Sequence, residues 1–181
     1  VGLGRLDMLS SELSIDVDRR PYLLRPERPA EGEPRRLFDG ETETELNAGM
    51  QERAKGVGLE MHRPQWSPNT KRAHEVTAYA KEKGKDGEFH HLAAAAYWES
   101  GADINDLDVL QEIVTASGMD WVDLAPRIEA GDFRDAVMQD HEAAKEAGVS
   151  GTPTYLIGGQ LLGGDISIDD LRAAIKSASA G

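Results

Sequence analysis

The chain has 181 residues and a mass of 19.7 kDa, enough for one domain to bury its own core without disulfides or metals. Its 33 acidic residues against 20 basic ones give a formal charge of −13, which disfavours nucleic acid and anionic lipid as partners. The longest uncharged run, residues 147–164, is rich in glycine and lacks the pattern of a membrane span. The absence of cysteine excludes a disulfide scaffold, a thiolate metal site and a cysteine nucleophile within these residues.

The spacing of the apolar residues changes once within residues 1–24. Leucines recur at helical spacing from Leu3 to Leu13, which predicts a helix. From Ile15 to Leu24 apolar and charged residues alternate, which predicts a strand. The sequence begins inside the helical pattern without an initiator Met, so we expect a segment upstream of Val1.

A long helical stretch occupies the middle of the chain. Residues 25–40 are rich in proline and charge and predict a loop, and residues 42–55 predict an exposed helix entered through Thr42 or Thr44. Ser67 and Pro68 predict the start of the next helix. Four further helices without an intervening strand are predicted up to residue 148: one over residues 87–100, and three that begin near Asp106, Asp120 and Asp132.

The C-terminal segment returns to a strand pattern. Residues 154–157 and 160–162 predict two strands joined by a two-residue turn, and Ser167 caps a final amphipathic helix. The element order of helix, strand, helical block, strand, strand and helix is that of a thioredoxin-type α/β sheet without its first strand.

Several short motifs resemble one known family. The segment Gly148 to Gly159 closely resembles the cis-proline loop and hairpin of the DsbA-like thioredoxin superfamily. The segment Arg20 to Pro26, and Pro68-Asn69-Thr70 followed by Ala73-His74, resemble its FrnE-type and 2-hydroxychromene-2-carboxylate-isomerase-type branch, whose bacterial members are cytoplasmic. The resemblance covers nearly the whole chain. It implies an α/β thioredoxin-like fold with an all-helical insertion, divided into residues 1–67, 68–148 and 149–181.

The resemblance also implies a function. Family members carry a Cys-Pro-Trp-Cys-Tyr motif followed by a hydrophobic residue, a glycine and a helix, and Val1-Gly2 resembles the two residues after that motif. We therefore expect a thiol-disulfide oxidoreductase whose cysteine pair precedes Val1, so that these 181 residues contain no catalytic residue and perform no dithiol catalysis alone. The implied substrate-binding residues are Gly151, Thr152, Pro153 and Asn69.

The proline loop has a physical reason to bind a peptide. A cis bond between Thr152 and Pro153 would leave the backbone N–H and C=O of Thr152 free to bond an extended chain by strand addition. A thiol at the N-terminus of the first helix would have a lowered pKa, because the helix dipole favours the thiolate. The alternative for Asn69 is that its side chain serves the Ser67-Pro68 helix start.

Two other functions stay open. In a glutathione-dependent isomerase or transferase of the same superfamily, an upstream serine would replace cysteine, and glutathione would be the cofactor. That reading is weakened because Ile166 stands where those relatives carry the aspartate of a Gly-x-Asp-Arg pattern, although Asp165 could still act. If nothing precedes Val1, the chain is a non-catalytic peptide-binding module. The expected partner is a thiol- or disulfide-bearing protein or small molecule, and the sequence leaves the oligomeric state open.

No metal site is predicted. His90, His91 and His141 form the one histidine group worth testing, but adjacent histidines on a helix point in different directions, and no His-x-x-x-His pair accompanies them. Solvated or hydrogen-bonded histidines explain them better.

Overall fold

A computed structural model describes residues 1–179 of the chain. That range contains eight helices and four short strands. The helices are α1 (Gly2–Leu13), α2 (Ala48–Lys55), α3 (Lys71–Glu82), α4 (Asp86–Trp98), α5 (Leu107–Ala116), α6 (Trp121–Ala130), α7 (Arg134–Glu146) and α8 (Ile168–Ser179). The strands are β1 (Glu33–Pro34), β2 (Trp66–Ser67), β3 (Thr154–Ile157) and β4 (Gln160–Gly163). The predicted C-terminal part, residues 149–181, ends two residues beyond the described range.

The strands form two antiparallel pairs. β1 pairs with β2, and β3 pairs with β4 in a hairpin that places Tyr155 opposite Leu162. Gly158 and Gly159 connect β3 to β4 with φ values of 55° and 81°. A two-residue turn with positive φ at both positions suits the twist of a hairpin, and glycine adopts it without steric cost. The predicted hairpin is confirmed.

α1 and α8 pack on the inner face of this hairpin. Their shared cluster contains the buried side chains of Leu9, Tyr155, Leu171 and Ile175. The outer face carries Leu156, which is 69% exposed and lies opposite Leu161. We call α1, β3, β4 and α8 together the hairpin unit.

The middle of the chain forms a separate core. Helices α3 to α7, here called the helical block, follow one another without a strand, as predicted. Asp106 and Asp120 cap α5 and α6, each by accepting backbone N–H groups two and three residues ahead. The cluster that α3 to α6 and the adjoining turns enclose is Ala73, Val76, Tyr79, Ala80, Phe89, Ala93, Leu110, Ile113, Val114, Met119, Leu124, Ile128 and Phe133.

The predicted strand over residues 15–24 is wrong. This segment takes part in neither strand pair of the described chain. Its backbone is bonded to side chains instead: Leu23 N–H donates to His141 Nδ1 at 3.2 Å, and Arg19 C=O accepts from Lys81 Nζ at 2.9 Å. The alternating apolar residues of this segment pack against helices and do not belong to the hydrogen-bonded ladder of a sheet.

Two predicted helix starts are displaced. α2 begins at Ala48 and is capped by Asn47, whose Oδ1 accepts Met50 N–H at 2.9 Å, because Thr42 instead closes a turn with Glu45. α3 begins at Lys71 and not at Ser67, which belongs to β2. In both cases a later residue provides the start of the helix.

The segment between residues 25 and 47 is fixed by a buried ionic cluster. Glu41 binds the Arg35 guanidinium with two hydrogen bonds of 2.7 and 2.8 Å, and Arg63 Nε lies 3.5 Å from the same carboxylate. Arg63 also donates to the backbone oxygens of Arg35 and Glu43. The Arg35 hydrogen bonds are the main reason why the pKa of Glu41 is lowered.

In residues 1–179 no helix is long and apolar enough to cross a membrane.

Candidate functional site

The start of α1 lies directly against the proline loop. A Cβ atom at Gly2 would come within 2.8 Å of Tyr155 Oη and 3.1 Å of the Pro153 ring. Real side chains do not approach that closely, so only glycine allows the first turn of α1 and the hairpin to touch. Val1, which precedes the helix, packs against the cluster of Leu46, Ala54 and Met61.

The loop from Gly151 to Pro153 is ordered but open. The Thr152–Pro153 peptide bond is cis. Thr154 Oγ1 donates to Gly151 C=O at 2.7 Å, and Pro153 C=O accepts Gly164 N–H at 2.9 Å. Thr152 is exposed, and its backbone N–H and C=O have no hydrogen bond to any other residue of the described range. The backbone of Thr152 therefore presents one free donor and one free acceptor near the start of α1.

Positive charge gathers at this end of α1. The unpaired N–H groups of the first turn carry the positive end of the helix dipole. Arg5, one turn further on, donates to Asp165 Oδ1 and to Ile166 C=O, both at 2.7 Å. The Arg5 guanidinium and the start of α1 therefore both place positive charge near the proline loop, with Asp165 as the counter-charge of Arg5.

Tyr155 brings a hydroxyl group to the same place. Its side chain is 8% exposed, and Oη is a buried polar atom without a hydrogen-bond partner in the described residues. Burial is the main reason why the pKa of Tyr155 is raised; the charge of Arg5 opposes it and that of Asp165 adds to it, and the phenol stays protonated. Sequence reasoning missed this residue, because a tyrosine on the inner face of a strand is expected to be core. The signal in the sequence that could have found it was Gly2, because a glycine at the start of a helix indicates that another part of the chain approaches closely there.

Asn69 is engaged away from the loop. Its Nδ2 donates to Arg28 C=O at 2.8 Å and to Pro29 C=O at 3.2 Å, and its Oδ1 accepts Lys71 N–H at 3.1 Å. These bonds join the chain near Arg28 to the start of α3. A substrate-binding role for Asn69, like that of the loop residues, remains a prediction.

The three histidines contact other groups of the protein. His91 Nε2 lies 3.0 Å from Asp7 Oδ2, His141 Nδ1 accepts Leu23 N–H, and His90 Nε2 lies 3.4 Å from Thr77 Oγ1. Burial lowers the pKa of His74 and of His90 from 6.5 to about 4, so both are neutral at neutral pH. As far as the chain is described, no three histidine, cysteine, aspartate or glutamate side chains are grouped to bind a metal.

Comparisons with known proteins agree on the fold. The chain is 26% identical over 179 residues to the protein YwbO of Bacillus subtilis (strain 168), described as uncharacterized, covering 97% of this chain and 88% of that protein. A crystal structure of the probable DsbA oxidoreductase SCO1869 from Streptomyces coelicolor superimposes with a TM-score of 0.87 at 18% identity, covering 99% of this chain and 83% of that one. The α/β thioredoxin-like fold with a helical insertion is confirmed. The model of the DSBA-like thioredoxin domain matches residues 2–176, and the chain belongs to this family.

Proposed function

We propose that the protein is a thiol-disulfide oxidoreductase of the FrnE-type branch, acting in the bacterial cytoplasm through a cysteine pair that precedes Val1. The observation that carries the proposal is the contact of Gly2 with Pro153 and Tyr155, which brings the positive end of α1 beside an open peptide-binding loop. Membership of the DSBA-like family supports it. The proposed partner is a protein or small molecule that carries a thiol or a disulfide.

Each part of this arrangement has a role in disulfide exchange. A cysteine at the start of α1 is held as a thiolate by the helix dipole. This thiolate attacks one sulfur of a substrate disulfide, forming a mixed disulfide while the other sulfur leaves as a thiolate. The free backbone groups of Thr152 hold the substrate chain in an extended conformation. The second cysteine then attacks the sulfur of the first, which releases the reduced substrate and leaves an intramolecular disulfide.

Intact mass tests this proposal. The full-length protein, produced from its complete gene, is weighed before and after reduction and thiol alkylation. We expect a mass above 19.7 kDa that rises by two alkyl groups only after reduction. A protein that takes up no alkyl group would contradict the proposal.

Substrate binding is tested separately at the loop. We expect Thr152→Pro to weaken capture of a disulfide-bearing peptide, because proline removes the free N–H donor. The exposed Leu156→Thr variant on the outer face of the hairpin serves as the control and retains capture. Equal capture by both variants would argue against strand addition at Thr152.

The glutathione alternative is less well supported by the contacts. Asp165, the residue left to hold the γ-glutamyl end, is paired with Arg5 at 2.7 Å and with Arg53 at 3.3 Å. A serine in place of the first cysteine would nevertheless favour that chemistry, and the same mass measurement would then show fewer than two alkyl groups after reduction.

A further inference from the structure

Residues 18–23, here called the strap, lie across the helical block without forming a helix or a strand. Within residues 1–179 the strap makes no hydrogen bond from its backbone to another backbone group. Side chains of three helices hold it instead, through ion pairs of Asp18 with Lys81 of α3, Arg19 with Asp86 of α4, and Arg20 with Asp140 of α7. The side chains of these ion pairs are all partly exposed, so water and salt weaken each pair.

One further attachment of the strap is buried. Leu23 N–H donates to His141 Nδ1 of α7 at 3.2 Å, and both residues are 3% exposed. The Tyr22 ring lies against the same imidazole, with the two ring centroids 5.1 Å apart. His141 therefore holds the end of the strap at a place that water does not reach.

The bond to Leu23 requires that His141 Nδ1 carries no proton. A ring nitrogen of histidine accepts a hydrogen bond only in its unprotonated form, and in the imidazolium both nitrogens are donors. A proton on Nδ1 would set one N–H group against another, and the buried Leu23 N–H would lose its acceptor. Because a buried donor without a partner destabilises the packed state, protonation of Nδ1 and docking of Leu23 exclude one another.

The groups that face His141 favour its uncharged form. From α3 it faces His74, whose pKa is lowered to about 4, mainly by burial and further by charge on His90 or His141. From the strap it faces Arg20, which lies 3.9 Å from Asp140, the residue before His141 on α7. A positive charge on His141 would thus oppose one on His74, and this part of the block packs best with neutral histidines.

We propose that His141 is a proton-operated clasp, which holds the strap on the helical block at neutral pH and releases residues 20–24 when acid protonates Nδ1. Arg19 of the strap lies between Asp7 of α1, at 3.8 Å, and Asp86 of α4, at 3.3 Å. Release of the strap therefore loosens a connection between the hairpin unit and the helical block. The clasp uses only residues of the described chain and is independent of the proposed disulfide exchange.

Hydrogen exchange of the Leu23 amide, followed by NMR, tests the clasp in the full-length protein. Each rate is divided by the rate of an unstructured chain at the same pH, which gives a protection factor for the strap. A histidine that is free in solution takes up its proton near pH 6.5. If release is coupled to one proton, the protection of Leu23 should fall about tenfold per pH unit between pH 6 and pH 5.

Two variants show whether His141 is the group that takes up this proton. In His141→Asn an amide oxygen can accept the Leu23 N–H but does not titrate, so the protection of Leu23 should no longer depend on pH. His62 is half exposed and lies 3.7 Å from Glu45, away from the strap. His62→Asn is the matched control and should keep the pH dependence of the parent. The same pH dependence in His141→Asn as in the parent overturns the inference.

Two measurements on the parent need no variant. The amide of Val114, which is fully buried in α5, reports opening of the whole block and should stay protected at pH 5 while Leu23 loses protection. Long-range proton–nitrogen NMR at pH 7 should show the His141 proton on Nε2 and none on Nδ1. A proton on Nδ1 at pH 7, or protection of Leu23 that follows that of Val114 at every pH, also overturns the inference.

Discussion

In the helical block thirteen buried side chains share one cluster, whereas four make up the cluster of the hairpin unit, counted over residues 1–179. In the block, Asp106 and Asp120 close the starts of α5 and α6, although Glu75 Oε2 of α3 is buried without a hydrogen-bond partner. In the hairpin unit and the loop before it, the Tyr155 hydroxyl and the Thr152 backbone are unbound within residues 1–179. The comparison teaches that the candidate site is built on the less deeply packed part of the chain, where local opening costs less free energy.

The largest loss of stability is expected when one fully buried leucine in each region is replaced by alanine. Leu110→Ala in the block should cost about 3–5 kcal/mol, and Leu171→Ala in the hairpin unit about 2–3 kcal/mol, because the smaller cluster can close more of its cavity. Urea unfolding gives the two values. Hydrogen exchange should show Leu171→Ala opening α1, β3 and α8 while α3 to α6 stay protected. Identical exchange patterns in the two variants would mean that the regions open as one unit.

A smaller loss of stability is expected when a side chain is introduced at the close contact between Gly2 and the hairpin. Gly2→Ala should destabilise the protein by about 1–3 kcal/mol, because the added Cβ collides with Tyr155 and Pro153. Gly49→Ala in α2 is the matched control: its nearest neighbour lies at 3.5 Å, and alanine should stabilise that helix by up to about 1 kcal/mol. Thermal unfolding of both variants shows whether each substitution raises or lowers the stability of the protein. A stabilising Gly2→Ala would show that the contact between α1 and the loop is loose.

Acid should weaken the helical block through its neutral histidines. The pKa of His90 is lowered to about 4 in the folded protein, mainly by burial, so the unfolded chain binds a proton at a higher pH than the folded one. The free energy of unfolding should therefore fall as the pH drops from about 7 to 5, with His90 contributing roughly 1 kcal/mol. His90→Asn should flatten this slope in urea titrations at the two pH values. A slope equal to that of the parent would place the acid sensitivity elsewhere.

The smallest effect is expected on the outer face of the hairpin. Leu156→Thr should change the free energy of unfolding by less than about 0.5 kcal/mol, because the side chain is largely exposed. Leu162→Thr, whose side chain packs against the inner cluster, should cost about 1–2 kcal/mol. Urea unfolding of the pair checks whether only one face of β3 and β4 contributes to stability. Equal losses would show that the outer face is buried in solution.

Much of the fold follows from local patterns in the sequence. The helices of the block and the hairpin were predictable because Asp106, Asp120 and the Gly158-Gly159 turn act on their immediate neighbours. The strand predicted over residues 15–24 failed because a strand needs a partner, and Leu23 N–H is bonded to a histidine 118 residues away. The helix α2 was predicted, but its start was placed too early at Thr42 or Thr44, because propensity alone does not distinguish these residues from Asn47 as the cap.

The candidate site was predictable only in part. The residues of the proline loop are contiguous, so a single motif in residues 151–153 marks them. Arg5 and Asp165 are 160 residues apart, and their ion pair exists only because α1 packs beside the end of the hairpin. Tyr155 is similar to any other core tyrosine until the position of its hydroxyl is known. Long-range placement of polar atoms cannot be read from spacing along one chain.

The buried cluster of Glu41, Arg35 and Arg63 has a consequence for how this sequence can evolve. Loss of one member would leave an uncompensated charge in a closed site, whereas replacement of all three by apolar residues could keep the fold. A single substitution at any of these three positions is therefore destabilising and not neutral. Across related sequences they should vary together or not at all, so their covariation would reveal how the segment between β1 and α2 is held in place.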